Sequence, residues 1–503
     1  MRMVRKFNED RLDDAIRAAW QGKEESDCIW WQGRWWDWRR FETLVADCEE
    51  KLKASGFGVG QRLAVLLPNS PMALALSVAC WRLGGAVAPL NARTGAVNLI
   101  DTIKMLDVNA VILTEEGHKK AEGFPADIPL VPSALEGPLP VWRGRKGSPD
   151  TAETAVIFST SGTSGLPKAV ACLHSNMLGN LAPIEAHVPG LLDDDAVFLN
   201  VLPNFHTFGY NLAGMMPLAF GLRQAVVPSF VPVDNTIKAI EESGVNRIIA
   251  VPTIMAFLLG ALAKKDQHLK GITHVITGGD RLNVQMEGRS REYLGVGILE
   301  GYGLTECSPV VAVNSTEAAK KLGTVGRPYP DYEIEIRDRE GRLLDIHQEG
   351  VLWVKGPSVV PGYFRDEENT KERFHDGWFN TGDVVQIDDD GYIKIVDRAT
   401  DIIIVSGFNV YPQEVEAALC AHPAVHAAVA VGEKNNVAGE LVKAFIILNE
   451  GAEASSKELM DYCRERLAHY KVPRKIGFVA EYPLSPTGKI LRRELRKMKI
   501  EKQ

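Results

Sequence analysis

Between Ser159 and Lys168 the chain places five hydroxyl side chains, two glycines and a lysine in ten residues, STSGTSGLPK. The stretch follows Ala155-Val156-Ile157-Phe158, an apolar run that reads as a buried strand. Glycines in such a loop let the backbone approach a ligand closely. Hydroxyl and amide groups can cradle an oxyanion, and Lys168 adds a point charge. A nucleotide polyphosphate suits that chemistry. The spacing excludes two common nucleotide loops. Gly162 and Gly165 stand three apart and Lys168 follows Pro167, so this is neither a Walker A loop nor a GxGxxG dinucleotide turn.

Four further motifs follow in order: Gly301-Tyr302-Gly303-Leu304-Thr305-Glu306, Thr381-Gly382-Asp383, Asp397-Arg398 and Pro486-Thr487-Gly488-Lys489. Together with the loop, whose family pattern is close to TSGTTGxPKGV, they resemble the adenylate-forming superfamily of acyl-CoA synthetases, luciferases and peptide-synthetase adenylation domains. The resemblance runs from about residue 30 to the C-terminus. It implies carboxylate attack on the α-phosphate of ATP, with pyrophosphate leaving. Positioning and electrostatic stabilisation carry most of such a reaction.

The resemblance also implies roles. Thr160, Ser161, Gly162, Thr163, Ser164, Gly165 and Lys168 would hold the β- and γ-phosphates. Mg²⁺ keeps several waters and takes few protein ligands, here Thr160 and Glu306. Tyr302 would offer its face to adenine, with Gly279, Gly301, Gly303 and Thr305 around the nucleotide. Asp383 and Arg398 would take the ribose. Lys489 would neutralise the carboxylate and α-phosphate; with Thr163, Glu306 and His206 it completes the catalytic set. His206 reads as a residue of the acid site, and Thr277-Gly278-Gly279-Asp280 as a second wall. Ser406-Gly407-Phe408-Asn409 would line a thiol tunnel, and Glu440 and Lys443 would sit near the acceptor. The run DRATDIIIVSGFNVYP, with Leu304 to Pro309 and Tyr470-Lys471-Val472-Pro473, looks most like bacterial fatty acyl-CoA synthetases. The implied function is ATP-dependent ligation of a fatty or other hydrophobic acid to coenzyme A. A free-standing acyl carrier protein as acceptor, or an aromatic acid as substrate, is the alternative. The chain departs from the family at two points: Thr400 stands where Asp or Lys is usual at the hinge, and Ala169 where glycine is usual.

These residues need a scaffold. Leu63 to Leu67, Ala86 to Leu90 and Ala110 to Leu113 are apolar runs alternating with helical segments such as Pro71 to Leu83. Such alternation implies parallel α/β layers. The pattern returns near Ala225, Arg247 to Val251 and His274 to Thr277. Pro125 to Pro140 reads as a loop. The expected fold is α/β: a large N-terminal domain, 1–397, whose residues 323–397 form a β-rich subdomain, and an α+β unit, 402–503, which the resemblance implies is a small mobile domain hinged at 398–401. Trp30, Trp31, Trp35, Trp36 and Trp38 read as packing in a hairpin and helix start, despite the neighbouring arginines. Arg492, Arg493, Arg496 and Lys497 read as surface charge.

Composition narrows the class. Hydrophobic residues make up 45% and charged residues 24% of 503, ordinary for a globular enzyme of more than one core. A formal net charge of −8 argues against nucleic-acid binding. Seven cysteines without a CxxC pair point to reduced thiols in the cytoplasm. The N-terminus shows no secretory pattern. The uncharged stretch Ala196 to Leu222 is broken by Asn200, Pro203, Asn204 and Gly209, so it reads as a buried pocket wall rather than a membrane span. No carrier domain is expected after Lys489. Peripheral membrane contact and self-association stay open.

Overall fold

The computed structural model describes residues 7–500 except 95, 120, 122, 161–167, 281, 339, 400, 407, 436–438 and 485–489. The chain forms two compact units, residues 1–334 with 354–379, and residues 335–353 with 380–503.

Among the described residues the first unit holds two large sheets. One runs in the order Leu130–Pro132, Ala110–Leu113, Arg62–Leu66, Ala86–Pro89, Thr154–Thr160, Lys168–Leu173. All neighbours are parallel except the last pair. Arg62–Leu66 and Ala86–Pro89 are buried throughout, as strands covered on both faces must be. Helix Pro71–Arg82 starts where Ser70 Oγ accepts from Ala73 N and proline takes the first turn. The expected loop between Pro125 and Pro140 contains the strand Leu130–Pro132. Its Leu130 and Val131 pair with Val111 and Ile112, and Pro132 is tolerated because this is an edge strand.

The second sheet has nine strands. Its parallel centre is Leu299–Gly303, His274–Thr277, Arg247–Ala250, Val197–Asn200, Arg223–Val226 and Asp27–Trp31. Antiparallel strands extend it at both ends: Val310–Val313 and Arg327–Pro328 at one, Arg34–Asp37 at the other. The tryptophans pack. Trp30 pairs with Trp35 across the hairpin, Trp31 and Trp36 are buried, and Trp38 stacks on Trp20 at 4.9 Å. Ala196 to Leu222 is an internal wall that includes a π-helix, Phe208–Met215.

In the second unit, an antiparallel sheet runs Phe408–Val410, Ile403–Val405, Gly439–Leu448, Val425–Asn435, with Lys475–Phe478 beside Gly439–Leu448. Helices Pro412–Cys420 and Ser456–Arg464 accompany it, and Val415, Leu419, Leu459 and Cys463 share its core. Two sequence readings are corrected here. Arg492 and Arg496 are not surface charges: Arg492 grips Glu416, and Arg496 donates to Asp401. Lys443 is 1% exposed, its amine donating to the Arg496 and Met498 carbonyls. Those two carbonyls and the Glu433 carboxylate, 3.7 Å away, hold it inward, so it is not displayed to an acceptor.

Candidate active site

Parallel sheets bind ligands at the carboxyl ends of their strands. In the nine-stranded sheet three such ends carry site candidates, two of them adjacent and the third beyond Arg247–Ala250. Val197–Asn200 leads to Pro203 to Gly209, His274–Thr277 to Gly278-Gly279, and Leu299–Gly303 to Thr305-Glu306. The buried hydroxyls of Thr207 and Thr277, at or after these ends, have no partner among the described residues. Orphaned buried polar groups mark a place where a ligand can supply the missing bonds.

The Glu306 segment is built with little freedom. Leu304 N donates to Pro309 O at 2.9 Å, and a Cβ at Gly303 would overlap that carbonyl. Glycine is therefore required at 303. Gly279 has φ +83°, the left-handed region that favours glycine. Thr305–Cys307 forms one 3₁₀ turn. Buried amides hold it. Asn180 Nδ2 donates to the Cys307 and Val310 carbonyls at 3.1 and 2.8 Å, while its Oδ1 accepts from Val310 N at 3.3 Å. Asn211 Nδ2 donates to Ser308 O at 2.7 Å. Tyr302, half-buried, lies on the strand that leads into this turn, and Thr305 is buried.

Glu306 Oε1 accepts from the Tyr363 hydroxyl at 2.9 Å. Burial, and next the Glu306 carboxylate, push that hydroxyl above its ordinary range, so it stays a donor. Lys168 Nζ stands 4.9 Å from the centre of the Tyr363 ring and donates to Asn369 Oδ1 at 2.5 Å. Asn369 is itself held by Asp366, which accepts from its backbone and side-chain N–H groups. Thr160 and Lys168 face each other in the antiparallel register, so the strand ends bracket residues 161–167. Lys168, Tyr363 and Glu306 are thus brought together by tertiary folding. Tyr363, Asn369, Asn180 and Asn211 escaped the sequence reading. Asn211 alone carries a signal, a polar residue within the apolar segment FGYNLAGM, whereas Asn369 lies in the charged segment EENTKER.

His206 Nδ1 accepts from Phe208 N at 3.3 Å. In the neutral ring this places the proton on Nε2, a donor suited to a carboxylate oxygen.

In the second unit, strands Trp378–Ile387 and Ile393–Arg398 set Asp383 directly opposite Arg398. Arg398 Nε lies 2.9 Å from Asp383 Oδ1. Asp383 is 3% exposed, while the Arg398 side chain is half exposed, so the pair presents a fixed carboxylate beneath a reachable guanidinium. Asp397 is buried, accepting from Arg398 N and Gln413 N. Ser161, Gly162, Thr163, Ser164, Gly165, Thr400, Gly407 and Lys489 lie outside the described residues, as does the Thr160 side chain. Among the described residues no three His, Cys, Asp or Glu side chains stand together as a metal cage. A single carboxylate such as Glu306 fits Mg²⁺, which draws its other oxygens from phosphates and water. Among the described residues no helix is long and apolar enough to cross a membrane.

The comparisons agree with the fold. Residues 16–364 match the family model described as AMP-binding enzyme, and residues 414–489 match AMP-binding enzyme C-terminal domain. A long-chain-fatty-acid–CoA ligase of Yersinia pestis is 33% identical over 83% of this chain and 77% of its own length. A 2-succinylbenzoate–CoA ligase of Bacillus cytotoxicus is 31% identical over 92% of this chain and 93% of its own. The solved structure of o-succinylbenzoate coenzyme A synthetase (MenE) from Bacillus subtilis, in complex with ATP and magnesium ion, superposes with TM-score 0.82. It is 26% identical and covers 96% of this chain and 99% of its own. The chain therefore belongs to the AMP-binding enzyme family of the adenylate-forming superfamily, most like its fatty acyl-CoA synthetases, and is an acid–thiol ligase of the AMP-forming class.

Proposed function

We propose that this chain activates a fatty or other hydrophobic carboxylic acid with ATP, as an acyl-adenylate, and passes the acyl group to coenzyme A. The observation that carries the reading is the Glu306–Tyr363 hydrogen bond beside Lys168 at the mouth of the Thr160–Lys168 hairpin. A cation and a held carboxylate at a loop rich in hydroxyls suit a metal-bound triphosphate. Mg²⁺, when bound, would offset charge on the phosphate oxygens, with Glu306 as its protein carboxylate. Lys168 would hold the phosphates, together with the hydroxyls and amides of residues 160–165. Tyr302 would stack on adenine beside Gly279, Gly301 and Gly303. Asp383 would accept from the ribose hydroxyls and Arg398 would close that site. His206 would donate to the acid, leaving it oriented for attack. Lys489 would supply charge at the α-phosphate as it develops.

The hinge is assigned to 398–401, with the body before it holding the acid and ATP and residues 402–503 following it. The aromatic-acid alternative is supported by the matches to a 2-succinylbenzoate ligase and to a solved o-succinylbenzoate synthetase, each over nearly the whole chain.

The test is ATP–pyrophosphate exchange across short, medium, long and aromatic acids, followed by thioester formation with coenzyme A and, separately, with a pantetheinylated carrier protein. Exchange that is strongest with fatty acids and transfer to coenzyme A are expected. No exchange with any acid would overturn the reading. Transfer only to the carrier protein would replace the acceptor.

A further inference from the structure

Helix Arg492–Lys497 has six residues and begins three positions after Lys489. A helix this short cannot hold itself, since isolated helices below about 12–15 residues are marginal. Side chains from other elements of the same unit fix its pose. At its first turn, Arg492 grips both oxygens of Glu416, at 2.5 and 3.1 Å, and donates to Ala430 O at 2.7 Å. One turn on, Arg496 Nη2 donates to Asp401 Oδ1 at 2.7 Å, and Asp401 Oδ2 lies 3.9 Å from Arg492 Nε. At the far end the buried Lys443 amine donates to the carbonyls of Arg496 and Met498, a cation at a helix C-terminus. The chain entering the helix is pinned as well: Ile490 pairs with Leu484, and Leu491 N donates to Pro483 O at 2.8 Å.

Asp401 holds a particular place in this arrangement. It stands three residues after Arg398, and its N–H donates to the Arg398 carbonyl at 2.9 Å. It thus joins the end of the Asp383–Arg398 hairpin to the helix that follows Lys489. Its side chain is 19% exposed, so the ion pairs are shielded from solvent more than surface pairs are. We infer that Asp401 is a positioning residue. Through Arg496 and Arg492 it registers helix Arg492–Lys497, and the chain that leads into it, against the hairpin carrying Asp383 and Arg398.

The kinetic consequence rests on the ligase reading above; the structural one does not. Asp401→Asn keeps the size and removes the charge. Pyrophosphate exchange is expected to slow roughly 10- to 100-fold, the scale of a misplaced catalytic group. KM for ATP and acid should hardly move, and chemically made acyl-adenylate should react with coenzyme A at the wild-type rate. Asp401→Glu should restore most of the exchange rate. Equal loss in both half-reactions, tracking a fall in melting temperature, would overturn the proposal by making Asp401 a stability residue only. Amide hydrogen exchange of residues 490–499 reads the clamp itself. It should quicken in Asp401→Asn while the strands Val425–Asn435 and Gly439–Leu448 stay protected. Unchanged exchange there would overturn the clamp even if wild type proved to adenylate no acid; no pyrophosphate exchange by wild type with faster amide exchange in the variant would sink the ligase reading alone.

Discussion

Glu306 stands on a turn whose backbone is held rigid. Tyr363 orients it from the side, and the turn around it is closed by amides. Glu306→Gln keeps the shape and the Tyr363 bond but loses the charge. Pyrophosphate exchange should fall roughly 10²-fold, the cost of removing one electrostatic stabiliser, with an unchanged melting temperature. Tyr363→Phe should cost less, about tenfold, in line with one hydrogen bond to a charged group. A Tyr363→Phe loss larger than that of Glu306→Gln would show that the tyrosine acts on its own. Lys489→Ala should lower adenylation by several orders of magnitude yet leave transfer from pre-made acyl-adenylate largely intact. Equal losses in the two half-reactions would end the idea that Lys489 serves only the first.

At the scale of elements, the site depends on how strands end and what clamps the turns after them. Asn180, from helix His174–Leu181, is fully buried and bonds to Cys307 at the end of the Thr305–Cys307 turn and to Val310 beyond it. Asn180→Ala would take the side-chain partner from Val310 N–H and Val310 O, while Cys307 O keeps the Tyr332 hydroxyl at 3.2 Å, at about 1–3 kcal/mol for each group left without a partner. Urea unfolding should register a loss of about 3 kcal/mol, and exchange kinetics should suffer beyond what reduced folding explains. A loss within error of zero would mean that water replaces the amide. The hairpin ending at Arg398 carries a second buried group. Burial raises the Asp397 carboxyl to about 6, against the pull of the N–H groups of Arg398 and Gln413 and of the Arg492 charge. The folded value lies above the ordinary 3.8, so the fold binds this proton more tightly than the unfolded chain does. Its contribution to stability is complete below about pH 4 and is lost as pH rises through about 6. Asp397→Asn should remove that loss. The variant's melting temperature relative to wild type should be higher at about pH 8 than at about pH 5. A pH-independent difference would contradict the assignment.

For the whole molecule, the proposed cycle requires residues 398–401 to absorb a backbone change between the two half-reactions. Proline locks φ and restricts the residue before it. Thr400→Pro should therefore leave single-turnover adenylate formation close to wild type while strongly slowing transfer to coenzyme A. Wild-type rates for both steps would move the pivot away from Thr400, and Asp401 would be the next position to vary.

Local chemistry made part of this protein legible in one dimension. The hydroxyl- and glycine-rich loop states by its composition that it can hold an oxyanion, whereas the turn Gly301 to Glu306 and the Asp397-Arg398 pair were legible only through the family resemblance of several motifs in order. The alternation of apolar runs with helical segments announced parallel layers. The Trp30 to Trp38 cluster was readable as packing through the family resemblance, and consecutive Trp30 and Trp31 are both buried. Contacts between distant segments were not legible. Tyr363 meets Glu306 across 57 residues, Asn369 meets Lys168 across 201, and Asn180 meets Val310 across 130. A hydrogen bond leaves no periodic trace in sequence, so nothing along the chain marks these partners. The basic C-terminal segment shows the same limit from the other side. A row of arginines looks like solvated charge until folding places Glu416 and Asp401 beside it. The sequence by itself determined which groups can do chemistry and on which kinds of element they ride. Only the tertiary structure decided which of them share a hydrogen bond, because that depends on strand order and on the few buried polar side chains that close each turn.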